Sequence, residues 1–185
     1  GLEGFKGQDS FPEGVKTLFV ETHFHLGDSR YDPDRDAVVA RAEEKGVSPL
    51  ITIGTDLESS RRAIELAHRY KNVYASVGIH PLEAGNADVA SLDELRKLVS
   101  ADKVVAVGET GFDFHEPGAP KEKQQEVFES MICLAREANL PLIIHSRNST
   151  DDMLEMIKKR EVQENGAVMH CFSGDKKLYA KCLDR

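Results

Sequence analysis

The chain has 185 residues, enough for one domain with a sizeable core. A net charge of −8 argues against a broad basic groove that wraps duplex DNA, and no apolar run is long enough to span a membrane. A nucleic-acid substrate stays possible, because bound divalent cations can reverse the sign of a local site. Cys133, Cys171 and Cys182 are odd in number and contain no Cys-x-x-Cys pair, so a reducing, cytoplasmic compartment is expected. The polar, glycine-containing start lacks the basic and apolar regions of a secretory signal. Residues 1–17 read as a flexible extension and 18–185 as one domain. A first residue other than Met points to a processed chain or a fragment.

Leu18 to His23 reads as a first strand, followed by His25. Asp32-Pro33 offers an N-cap and a proline at N1 for a first helix that stops at Gly46. Leu50 to Gly54 is a second strand and Glu58 to Tyr70 a second helix. Val73 to Gly78 is a third strand. Ser91-x-x-Glu94 reads as a capping box that opens a third helix with Leu92, Leu95 and Val99 as its apolar face. Val104 to Val107 is a fourth strand ending in Gly108-Glu109. Glu122 to Asn139 is a fourth helix, with Phe128, Met131, Ile132 and Ala135 at helical spacing. Leu142 to Ile144 ends at His145, Thr150 to Arg160 is a fifth helix, and Ala167 to Met169 ends at His170. Asp175 can cap a last helix. Strands that are near-continuous apolar runs, alternating with helices, predict a parallel α/β protein. The loop after the first strand has no Gly-x-Gly-x-x-Gly, whereas chemistry-bearing residues close several strands. That favours a TIM-type (β/α)8 barrel over an open sheet.

Alternation along a strand points His23 and His25 the same way, so the pair can grip one divalent cation. His80, Glu109, His145 and His170 stand at later strand ends and converge if the strands form a barrel arc. Histidines and a carboxylate with an open position make a catalytic metal site. A glutamate among them can bridge two cations about 3.5–4 Å apart. Burying Glu109 after an apolar run would be costly without such a partner. Asp113 can orient a ligand or cap a turn. His68 reads as a surface residue, and Cys171 as structural, pointing away from the face His170 uses.

Five motifs occur in order: His23-Phe24-His25, Gly78-Ile79-His80-Pro81, Gly108-Glu109-Thr110-Gly111-Phe112-Asp113-Phe114, His145-Ser146-Arg147 and His170-Cys171-Phe172-Ser173-Gly174. With Gln125-x-x-Phe128 and the approach from Ala135 to Pro141, they resemble the TatD family of metal-dependent deoxyribonucleases, among the amidohydrolase-like barrels. The resemblance covers Leu18 to about Asp175. It implies two divalent cations (Mg, Zn, Mn or similar) and hydrolysis of phosphodiester bonds at a DNA end, with single-stranded ends the expected substrate. It implies that His23 and His25 hold one cation, that Glu109 bridges, and that His145 and His170 hold the other. Glu109, His145 and His170 are then the catalytic set, with His80, Arg147 and Ser173 on the substrate side. Glu21 and Phe112 replace the family's usual Asp and Leu. The family's last two strands, and the Asp of its Glu-Thr-Asp motif, have no counterpart before Arg185. The expectation is therefore a barrel of six units where about eight units and 250 residues are typical. Two rivals stand beside the nuclease: an amidohydrolase-like activity on an amide, ester or lactone, and a catalytically incomplete fragment or scaffold. Arg147 beside His145 leans towards phosphate, which guanidinium matches bidentately.

Overall fold

A computed structural model describes residues 19–159, 162 and 165–183. The expected N-terminal extension, Leu18 at the start of the first strand and Arg160 at the end of the fifth helix lie outside the described residues. Six strands, β1 (Phe19–Phe24), β2 (Val47–Ile53), β3 (Val73–Val77), β4 (Val104–Asp113), β5 (Leu142–Arg147) and β6 (Ala167–Met169), form one sheet in chain order. Every neighbouring pair is parallel. Six helices, α1 (Arg35–Glu44), α2 (Leu57–Arg69), α3 (Val89–Leu98), α4 (Lys121–Ala138), α5 (Thr150–Lys159) and α6 (Lys176–Leu183), follow the strands in turn. Among the described residues the strand order never reverses and there is no switch point of the doubly wound kind, so the winding is that of a barrel arc.

The boundaries differ from expectation where polar residues act locally. The first helix begins at Arg35, not after Asp32. Asp32 closes a short 3-10 turn, and its carboxylate receives the Arg35 guanidinium at 2.5 Å. The third helix begins at Val89, with Asp88, three residues before Ser91, as N-cap. Ser91 is the far member of that capping box, its hydroxyl receiving the Asp88 N–H while its own N–H reaches the Asp88 carboxylate. The largest difference is β4, which runs on from Val107 to Asp113.

The sheet has two faces, separable by alternation. Leu50, Val107, Leu142 and Ile144 belong to a large core with Leu66, Leu95, Phe128 and Met131 from the helices. Ile53, Ala106 and Ile143 form a second, small cluster with Ile51 against it. Val107, Leu142 and Ile144, next to Ala106 and Ile143 in sequence, lie in the large core, so the small cluster lines the opposite, inner face. His145 and Arg147 follow Ile143 at steps of two and share that inner face. Strict alternation from Ala106 would turn Glu109 outward. Instead the register with β5 shifts between Val107 and Thr110. Beyond the shift Phe112 joins the helix-side core, and Glu109, Gly111 and Asp113 take the inner side.

Candidate metal centre

Two glycines set the geometry around Glu109. Gly108 has φ +134° and Gly111 φ +140°, a region that disfavours any residue with a Cβ. A Cβ on Gly108 would lie 2.4 Å from the Ile143 carbonyl oxygen, and one on Gly111 only 2.1 Å from that of His145. The missing side chains let β4 and β5 close together, which brings His145 against Glu109.

Glu109 is buried, and five imidazoles surround its carboxylate. Oε2 lies 3.2 Å from His23 Nε2 and 3.7 Å from His25 Nε2. Oε1 lies 2.8 Å from His145 Nδ1, 3.7 Å from His80 Nε2 and 3.8 Å from His170 Nε2. Among the described residues its ion-pair partners are all imidazoles, with no lysine or arginine. The nitrogens of His23 and His25 face each other at 3.2 Å. The rings of His23 and His170 stack with centroids 3.4 Å apart, drawing the first and last strands to one place. Among the described residues, two triads have donor atoms close enough to hold an ion: His23, Glu109 and His170, and His80, Glu109 and His145. The donor chemistry, imidazole nitrogen with a carboxylate that has no other cation, suits a divalent metal.

The electrostatics follow from burial opposed by pairing. Burial works against the charge of Glu109, yet hydrogen bonds from His145 and His23 hold its carboxyl far below the usual carboxylate range. Burial lowers His25 and His170 and pushes His80 down to about 4, against the pull of Glu109 in each case. Burial opposes protonation of His145 too, but there the bonds to Glu109 and Asp113 prevail and raise it. The Leu82 N–H donates to His80 Nδ1 at 3.2 Å. That acceptor role leaves the ring hydrogen of neutral His80 on Nε2, facing Glu109 as a donor.

All six strand-end residues of the expected centre therefore meet at one point. Arg147 and Ser173 do not reach Glu109. Arg147 is exposed and its Nη1 donates to Glu116 Oε1 at 3.1 Å. Ser173 is exposed in the segment between β6 and α6. His68 is exposed on α2, and Cys171 is exposed in a left-handed turn at φ +48°. The sequence left two readings of Asp113, orienting a ligand or capping a turn; its Oδ1 accepts the N–H groups of His115 and Glu116, and its Oδ2 lies 2.9 Å from His145 Nε2. A cleft of about 450 Å³ adjoins His25, lined among others by Asp28, Arg30, Thr55, Ser59 and Arg62. Its presence had no signal in the sequence beyond the polar residues after the first two strands.

Comparison with known proteins bears directly on this centre. The family model described as TatD related DNase matches residues 20–185. The chain belongs to this family. It is 37% identical over 166 residues to the uncharacterized metal-dependent hydrolase YabD of Bacillus subtilis, covering 90% of this chain and 65% of that protein. It is 32% identical over 161 residues to the 3'-5' ssDNA/RNA exonuclease TatD of Salmonella typhimurium, covering 87% of this chain and 62% of that protein. The chain thus spans less than two thirds of the length of these TatD relatives. Among solved structures, the TatD homologue YJJV of Escherichia coli K12 superposes with a TM-score of 0.83 at 31% identity, covering 89% of this chain and 64% of the other. The TatD family hydrolase of Entamoeba histolytica gives 0.83 at 28% identity, covering 91% and 63%. The six parallel strands form the arc of the TIM-type barrel of these TatD structures. Among the described residues no helix is long and apolar enough to cross a membrane.

Proposed function

We propose that this chain carries the metal centre of a hydrolase that cleaves phosphodiester bonds of DNA from a single-stranded end. The observation that carries the reading is one buried carboxylate, Glu109, with histidines grouped on each of its two oxygens. The fit of that donor set, and the TatD relatives named as metal-dependent hydrolase and as exonuclease, support it. In this reading His23 and His25 would hold one divalent cation and His145 and His170 a second, with Glu109 as the carboxylate common to both. Bound there, such cations supply Lewis acidity towards a phosphoryl oxygen and lower the pKa of water.

The chain's own residues then divide by chemistry. Glu109 keeps its charge and orients the imidazoles about it. Neutral His80 presents Nε2–H as a donor for a non-bridging phosphate oxygen. Arg147 and Ser173 line the approach. Arg147 would exchange Glu116 for phosphate, at small cost because exposed ion pairs contribute only about 0–1 kcal/mol. Three free cysteines support a reducing cytoplasmic location.

Incubation of the protein with end-labelled single-stranded DNA and Mg, Mn or Zn tests the reading. Stepwise shortening from one end, stopped by a chelator and absent in Glu109→Ala, is expected. Intact DNA with every metal, alongside turnover of an ester or lactone, would overturn it.

A further inference from the structure

We infer that Asp113 is a positioning residue for His145: its carboxylate fixes the imidazole with the hydrogen on Nε2 and offers Nδ1 to a cation beside Glu109. The inference rests on the metal-centre reading above and adds which atom of His145 ligates, and why.

Both ends of Asp113 are pinned. Its backbone N–H donates to Gln124 Oε1 at 2.9 Å, and Gln124 Nε2 donates to the carbonyls of Asp113 and Ala119 at 3.0 and 2.9 Å. Gln124 and Asp113 are each only 2% exposed, so water competes for neither. Oδ1 is committed to the N–H groups of His115 and Glu116 at 2.9 and 3.1 Å. Oδ2 is left with His145 Nε2 at 2.9 Å. An ionised carboxylate only accepts, so Nε2 must donate. Without metal the other nitrogen, Nδ1, donates to Glu109 Oε1 at 2.8 Å; a cation that replaced that hydrogen would take the Nδ1 lone pair beside Glu109, while Nε2 kept its hydrogen on Asp113. A turn-capping aspartate needs only one oxygen. The second oxygen, turned inward at hydrogen-bonding distance, is what a carboxylate–histidine–metal relay requires.

The test compares wild type, Asp113→Asn, His145→Ala and the double variant in Co(II) titrations, followed by the visible spectrum of the bound ion. In Asp113→Asn the single amide oxygen stays on the two backbone N–H groups. The NH2 group then faces Nε2 as a donor and drives the hydrogen to Nδ1. Co(II) affinity should fall about 10–100-fold with an altered spectrum, the range for losing such an outer partner. In the His145→Ala background the same change should cost nothing further. An equal loss in both backgrounds would make Asp113 merely structural and overturn the inference. So would an unchanged affinity and spectrum. Should Asp113→Asn not fold, 15N-histidine NMR of the Zn(II)-loaded wild type decides: a protonated Nε2 and a metal-shifted Nδ1 support the inference, and ligation through Nε2 refutes it. Wild type that binds neither Co(II) nor Zn(II) would instead bring down the metal-centre reading itself.

Discussion

Glu109 and His145 sit on β4 and β5, strands with neighbours on both sides, whereas His23, His25 and His170 come from or just beyond β1 and β6, the two edges of the sheet. The central pair is tied down by two Cβ-free contacts and by Asp113. The edge strands have one neighbouring strand each, and the His25 and His170 side chains are 46% and 26% exposed against 4% for Glu109, with His23 at 8%. The flanking apolar residues repeat the contrast: Phe19 and Val20 on β1 and Val168 on β6 are exposed, while Val107 and Ile144 are fully buried. One half of the centre is thus rigid by construction of the sheet, and the other is held by the site it helps to form. Metal, once bound, should therefore stabilise the edges more than the middle.

The sharpest way to break this contrast is Glu109→Ala. It should abolish retention at both cation positions, read as metal per chain after gel filtration, and reduce hydrolysis to background. Gly111→Ala should cost about 3 kcal/mol in urea unfolding, from left-handed strain and the collision with the His145 carbonyl. It should also disturb the rigid half first, seen as loss of protection of β5 amides in hydrogen exchange. His25→Ala, by contrast, should lose one bound cation of two while the metal-free stability stays within about 0.5 kcal/mol, as for exposed positions generally. Phe19→Ser on the exposed edge should change unfolding free energy least of all, also within about 0.5 kcal/mol, and leave metal content untouched.

The same contrast explains what the sequence disclosed. The helices and strands declared themselves through apolar periodicity, and the strand-end histidines and Glu109 were legible as a group because several strands each ended in an imidazole or a carboxylate. His23 and His25 do share a face, both turned to Glu109 Oε2. The run of β4 to Asp113 was hidden because Gly108 and Gly111 read as punctuation, when here they permit close strand approach. Ser91 and Glu94 imitated a capping box that Asp88 forms with Ser91. Arg147 beside His145 suggested a phosphate contact; its pairing with Glu116, 31 residues away in sequence, had no local signal. The task of Asp113 depended on Gln124 and on two loop amides, contacts that no local pattern encodes.

Anomalous diffraction from crystals soaked in Mn(II) or Zn(II) would locate the cations around Glu109. Two peaks flanking Glu109 are expected, one beside Oε2 with His23 and His25 and one beside Oε1 with His145 and His170. A single peak that does not touch Glu109, or none at saturating metal, would contradict the metal-centre reading.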